Sequence, residues 1–342
     1  MIEWRHVRCI AEHLGRCAIH AGETVVLLSE SQSRPVLVEA TRLAIQSHGC
    51  AMTDVILPTP ASAHVVPIRS TGASQAIAGN RAVLAALTSA DLVVDCTVEG
   101  LLHAPELAQV LDSGARVLMI SNEHPDVLER LGWDDTLPSR VHAALALLRN
   151  AEEMRLLRDT GTDLRIRLAG AFTAGSTGLT DGPGSIAHWP GGLVLAFPSA
   201  RSVNGTLVLA AGDLNLTFNR FVADPITLSI TDDYITEIAG AGVDAQLFRG
   251  YLDAFGDREC LATSHVGWGL NRQARWESVE LYDRRETWGT EARAIAGNVL
   301  YSCGANEVAG RFTAGHFDLP MRGCTVLLDD TPVVVAGRLV DQ

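Results

Sequence analysis

Asp91-Leu92-Val93-Val94-Asp95, a helix-like segment over 105–113, and Arg116-Val117-Leu118-Met119-Ile120 together form the stretch whose reading decides the fold. Two short apolar runs rich in β-branched residues, separated by a helix-length segment, read as strand, helix and strand. Moving towards the N-terminus, the same alternation recurs in helix-like 80–88, strand-like 51–57 and helix-like 34–48. It continues through the apolar run Thr24-Val25-Val26-Leu27-Leu28 to an amphipathic helix over 4–20. Strands alternating with helices predict a parallel sheet covered on both faces. The expectation is therefore a Rossmann-like α/β domain over 1–150.

Such sheets often bind nucleotides, but this one lacks the means. The loop after the first strand, Ser29-Glu30-Ser31-Gln32-Ser33, contains no glycine, and neither G-x-G-x-x-G nor G-x-x-x-x-G-K-[ST] occurs anywhere. Without glycine the backbone N–H groups cannot approach a phosphate closely. The first half is expected to serve as scaffold and as one wall of a cleft.

Towards the C-terminus a long helix over 138–158 is expected to link the halves, after which strands dominate. Residues 192–198 and 205–216 read as strands, and 226–230 with 234–238 as a hairpin turning at Asp232-Asp233. A helix over 244–255 interrupts them. The chain closes with 325–328 and 333–339 around the turn Asp329-Asp330-Thr331-Pro332. The second domain, 151–342, is thus expected to be a mixed, largely antiparallel α+β unit. The 342 residues of the whole chain support this division, since one core rarely grows beyond roughly 250 to 300.

The composition, 47% apolar and 20% charged, is that of a globular protein. With 40 acidic against 27 basic side chains the formal charge is −13, which repels nucleic acid and anionic lipid. Charged residues interrupt the first twenty positions, and no later run has the roughly 18 to 20 apolar residues that a bilayer span needs. Seven scattered cysteines without a C-x-x-C pair suit a reducing cytoplasm. Cys303, in Tyr301-Ser302-Cys303-Gly304, could face a site if the glycine makes a turn there.

The sharpest chemical signal is His316-Phe317-Asp318, because side chains two apart on a strand share a face and can share one metal ion. His265, in Ser264-His265-Val266-Gly267-Trp268-Gly269, is the best third ligand. Two histidines and a carboxylate suit the facial site of non-haem Fe(II) oxygenases, and equally zinc with one bound water. A histidine beside a charged strand end, with no metal, explains the same pattern. His188 precedes the rigid Trp189-Pro190-Gly191-Gly192, and His103 follows a strand end, where open α/β sheets present ligand-facing loops. Either imidazole is a natural proton carrier near neutral pH. His6, His13 and His20, seven apart, read as a surface row along the first helix. No G-x-S-x-G or H-E-x-x-H is present.

These stretches resemble the 2,5-dihydroxypyridine 5,6-dioxygenases, ring-opening enzymes of bacterial nicotinate degradation, themselves related to the aminopeptidase T metallopeptidases. The resemblance runs through Leu101-Leu102-His103-Ala104-Pro105-Glu106, His188-Trp189-Pro190-Gly191-Gly192, Gly205 to Leu209 with Gly212-Asp213, and Ser264 to Leu270. It continues in Ala292-Arg293-Ala294 with Gly297-Asn298, and in His316 to Pro320. It implies Fe(2+) held by His265, His316 and Asp318, with His103 as acid/base and His188 and Ser302 touching the substrate. It further implies an extradiol-type dioxygenase acting on a hydroxylated aromatic or N-heteroaromatic ring with O2, in a homo-oligomer. Ser176 stands where that family carries a glutamate, which bears on the substrate accepted. The alternative is a metal-dependent aminopeptidase using the same ligands to activate water.

Overall fold

The first half alternates as its periodicity predicts. In chain order it comprises α1 (Trp4–Arg16), β1 (Thr24–Glu30), α2 (Pro35–Ser47), β2 (Ala51–Leu57) and α3 (Arg81–Thr88), then β3 (Leu92–Asp95), α4 (Leu107–Asp112), β4 (Arg116–Met119), α5 (Pro125–Leu131) and α6 (Leu137–Asn150). The computed structural model describes residues 1–61, 74–180, 182–282 and 289–340. The second half opens with β5 (Glu153–Arg158), β6 (Thr162–Arg167), β7 (Phe172–Ser176), β8 (Ile186–His188), β9 (Leu193–Phe197) and β10 (Val203–Leu209). It continues through β11 (Leu214–Asn215), β12 (Arg220–Phe221), β13 (Ile226–Thr231), β14 (Tyr234–Ala239), α7 (Val243–Phe255) and β15 (Thr263–Gly269). Last come α8 (Ser278–Leu281), α9 (Thr290–Ala294), β16 (Val299–Asn306), β17 (Arg311–Met321), β18 (Thr325–Leu328), β19 (Thr331–Val335) and β20 (Arg338–Leu339).

A parallel sheet of order β2-β1-β3-β4-β8 forms the first layer, its fifth strand contributed from beyond residue 150. Val25, Leu27, Leu92, Val94 and Leu118 cluster with Ile10 and Leu14 of α1 and Leu37 and Ala44 of α2. The alternate residues Val26, Leu28, Val93 and Val117 cluster instead with Val83 and Leu87 of α3 and Val110 of α4. Helices on both faces explain why these strands are apolar at successive positions.

Two large antiparallel sheets follow, an eight-stranded one of order β14-β13-β10-β6-β5-β18-β19-β20 and a five-stranded one of order β17-β16-β15-β9-β7, besides the small pair β11-β12. Leu164, Ile166, Leu207 and Leu228 from the first meet Trp268, Tyr301 and Phe317 from the second in one core, with Phe248 and Tyr251 of α7. No helix among the described residues is long and apolar enough to cross a membrane.

The expected linker helix over 138–158 is overturned. It ends at Asn150, and 153–158 form β5, because Met154 and Leu156 are buried while Glu153 and Arg155 are not, a period of two that pairs with β6. The expected strand 205–216 breaks after Leu209, where Gly212 takes a φ of 89° and Asp213 accepts from the N–H of Ala210. Helix α1 stops at Arg16 rather than 20, since Ala18 adopts a left-handed φ of 56°. In the last hairpin Asp329 and Asp330 alone make the turn, both at positive φ, and Thr331 and Pro332 already belong to β19.

Gly267 on β15 faces Leu195 across the pairing with β9, and a Cβ there would lie 1.8 Å from the Val194 carbonyl oxygen. Gly267→Ala is expected to lower the unfolding free energy by at least about 1 to 3 kcal/mol, read from denaturant midpoints. An unchanged midpoint would contradict this close strand approach.

Candidate metal centre

The five-stranded antiparallel sheet sorts its residues by parity. Phe317 and Leu319 of β17, Tyr301 and Cys303 of β16, Val266 and Trp268 of β15, and Val194 and Ala196 of β9 enter the core. Alternate residues on each strand face the other way. That second face carries His316 and Asp318, Ser302, His265, and Leu193, Leu195 and Phe197, which, except for Ser302, line one cavity of about 230 Å³. The same rule corrects the expectation for Cys303: Gly304 makes no turn there, and the thiol lies in mid-strand, buried on the core side.

His103, His265 and His316 each present a ligand atom within 4.8 Å of the others. Asp318 joins them, its Oδ1 lying 3.2 Å from His316 Nε2 and 3.7 Å from His265 Nε2. Donor atoms bound to one cation at about 2.0 to 2.2 Å lie about 3 to 4 Å apart, so these spacings fit a shared ion. His316 Nδ1 and His103 Nε2 are buried and have no hydrogen-bond partner among the described residues. Ser302 Oγ sits 3.0 Å from His265 Nε2 and also donates to Asp318 Oδ1.

The electrostatics favour ligation. Burial, reinforced by neighbouring imidazoles and Arg293 against the pull of Asp318, holds His265 well below its ordinary value. His316 is lowered from the same first cause. Burial alone would raise the Asp318 carboxyl, but the Arg293 guanidinium and the two imidazoles outweigh it and hold the group well below the carboxylate range. At neutral pH the cluster therefore offers imidazole lone pairs and a carboxylate. Arg293 Nε donates to Asp318 Oδ2 at 2.6 Å, whereas its Nη1 is buried without a partner among the described residues.

The parallel sheet supplies the opposite wall from the carboxyl ends of β3, β4 and β8. Asp95, at the end of β3, shapes the loop that carries His103 by accepting from Thr97 N (2.9 Å), Thr97 Oγ1 (2.6 Å) and Leu101 N (2.9 Å). Burial nonetheless pushes this carboxyl up to about 6. His103 follows, 6% exposed, its ring centroid 4.6 Å from that of His316 and its Nδ1 3.2 Å from Glu307 Oε1. His188 ends β8 and lines the cavity, and burial, then Arg293, lowers it to about 4. Ser176 also lines the cavity, but its hydroxyl is engaged with the main chain of His188, donating to the carbonyl at 3.1 Å and accepting from the N–H at 3.3 Å.

A model of the 2,5-dihydroxypyridine 5,6-dioxygenase family matches residues 5–341. The chain belongs to that family. A 2,5-dihydroxypyridine 5,6-dioxygenase of Pseudomonas putida KT2440 is 41% identical over 267 residues, covering 78% of this chain and 75% of the relative. The solved structure of the enzyme of that name from the same organism superposes with a TM-score of 0.92 at 35% identity, over 98% of this chain and 97% of that one. AmpT from Thermus thermophilus superposes with a TM-score of 0.60 at 14% identity, over 98% and 99%, and so shares the fold.

In this family member the roles of two cavity-lining groups, Arg293 and Glu99, and of Glu307 behind His103 escaped sequence reasoning. Arg293 was visible only as a cation between two alanines. Glu99 lines the cavity, its carboxyl pushed up to about 9 by burial and by Glu30. Glu307 reaches His103 from 204 residues away. The expected surface row of histidines is overturned as well: His6 and His13 are each 3% exposed, and His20 lies beyond the end of α1. His13 stacks on Trp189 with centroids 3.9 Å apart, and its Nε2 meets the Gly178 carbonyl at 2.8 Å, behind the loop that carries His188.

Burial lowers His13 to about 3. The unfolded chain binds a proton near the ordinary value of about 6.5 while the folded imidazole stays neutral, so its stabilisation, intact above that pH, is lost as pH falls towards 3. The slope contributed is about 1.4 kcal/mol per pH unit. His13→Gln keeps a donor for the Gly178 carbonyl and should remove about one proton from the pH dependence of unfolding between about pH 4 and 6. An unaltered slope in denaturant titrations would contradict a neutral, buried His13.

Proposed function

We propose that the chain is a non-haem Fe(II)-dependent, extradiol-type ring-cleaving dioxygenase acting on 2,5-dihydroxypyridine or a closely similar hydroxylated N-heteroaromatic ring. The observation that carries this reading is the convergence of two imidazoles and a carboxylate, all buried, beside a ring-sized cavity. A cavity of about 150 Å³ suffices to hold benzene, so one of about 230 Å³ accommodates a substituted ring. The name of the Pseudomonas putida relative supports the substrate class.

His265, His316 and Asp318 would hold the iron, with Ser302 beside them. When bound, iron would supply the Lewis-acid and redox chemistry that lets dioxygen meet an electron-rich ring. The protein's own groups prepare the ring for that meeting. Leu193, Leu195 and Phe197 exclude water and pack its faces. Arg293 directs its Nη1, which has no partner among the described residues, to an anionic ring oxygen, where a permanent cation in a dry site favours the ionised form. His103 accepts a ring hydroxyl proton at Nε2 and later returns it. His188, neutral at pH 7, hydrogen-bonds a ring substituent, and Ser176 fixes its main chain. With serine rather than a carboxylate at 176 and a neutral Glu99, the cavity favours a ring without a positive charge.

Anaerobic loading with Fe(II) followed by oxygen-electrode assay with 2,5-dihydroxypyridine tests the proposal. Stoichiometric oxygen uptake is expected, abolished in His265→Ala and His316→Ala together with iron binding. Peptide hydrolysis with Zn(II) and no oxygen uptake would overturn it. His103→Ala is expected to retain iron and lose about 10² to 10⁴ in kcat. Loss of iron from that variant, measured by a colorimetric chelator, would make His103 a ligand instead.

A further inference from the structure

His103 faces two ways. Its Nε2 is buried without a partner among the described residues, while its Nδ1 lies 3.2 Å from Glu307 Oε1. Glu307 begins a short 3-10 turn directly after β16. Asn306 anchors that turn: it is fully buried, its Oδ1 accepts from Ala309 N at 3.2 Å and its Nδ2 donates to the Pro198 carbonyl at 2.9 Å. The glutamate side chain is 38% exposed. Burial would raise its carboxyl, but the hydrogen bond from His103 outweighs that and the group is lowered, so it is ionised at neutral pH.

An ionised carboxylate can only accept. The imidazole proton therefore rests on Nδ1, because Nε2 has no acceptor among the described residues. That tautomer leaves a lone pair on Nε2, whose ring centroid lies 4.6 Å from that of His316 and 6.2 Å from that of His265.

We infer that Glu307 is a positioning residue: by accepting the Nδ1–H of His103 it sets the ring's tautomer and aims an unprotonated Nε2 at the cavity. The inference rests on the reading of this cavity as the ring-cleavage site. It adds a partner carboxylate that joins the loop after β3 to the turn that follows β16.

Two readouts test it. In metal-free protein labelled with ¹⁵N-histidine, with the His103 signals assigned by their loss in His103→Ala, ring nitrogen shifts are expected to show an Nδ1-protonated ring. Glu307→Gln, whose amide oxygen still accepts, should keep that tautomer, and Glu307→Ala should move it towards Nε2–H or a mixture. In the Fe(II)-loaded enzyme Glu307→Ala should lose about 10- to 100-fold in kcat. Its KM for the ring should stay within about twofold and its iron content should not change, with Glu307→Gln recovering most of the loss. An unchanged His103 tautomer in Glu307→Ala, or an unchanged kcat, would overturn the inference. Absence of oxygen uptake by the wild-type protein alongside the expected tautomer changes would instead remove the ring-cleavage reading and leave the positioning contact standing.

Discussion

The ion pair between Arg293 and Asp318, 2.6 Å apart and almost wholly buried, is the interaction on which the rest of the site depends. A carboxylate buried alone would take up a proton, and a buried guanidinium alone would carry an unpaired charge into a dry environment. Together they hold Asp318 ionised on the polar face of a sheet whose other face is solid core. Breaking such a pair from one side typically costs about 3 to 5 kcal/mol. The pairing is incomplete, since Nε is committed to the carboxylate while Nη1, beside the cavity, has no partner among the described residues. One residue thus both keeps the Asp318 carboxylate ionised and offers a fixed positive charge to whatever binds next to it.

Strand parity makes the site possible. The antiparallel sheet buries Phe317, Leu319 and Met321 of β17 in the core with α7 and turns His316 and Asp318 to the cavity, so a polar constellation can be assembled without breaching the core. The opposing wall comes from the carboxyl ends of the parallel strands, where loops are free to carry His103 and His188. Asp95 and the His13–Trp189 stack hold those loops from behind. The cavity is therefore a seam between two differently built layers, each contributing what its geometry allows.

Much of this was legible in the chain. The parallel sheet could be read because the central strands carry unbroken apolar runs and each intervening segment has helical length. The His-x-Asp spacing marked a shared strand face, and the structure brings His265 and His103 to it. Residues 153–158 were misread because Glu-Met-Arg-Leu-Leu-Arg is amphipathic with either period, and only pairing with β6 decides between them. Gly304 suggested a turn at Cys303 where its φ of 118° instead admits close approach of β17. His6 and His13 looked like surface residues because their partners, Asp126 and Trp189, lie far along the chain. Arg293 and Glu307 could not be found from local pattern at all, since their roles arise from contacts that only the folded sheets create.

The most direct test of the central claim is anomalous diffraction at the iron edge from crystals grown anaerobically with Fe(II). The account predicts a single peak within bonding distance of His265, His316 and the Asp318 carboxylate, with open coordination towards the cavity and Arg293 still paired to the other carboxylate oxygen. A peak bound by the three imidazoles of His103, His265 and His316 with Asp318 outside the shell, or no peak at this cluster, would contradict it.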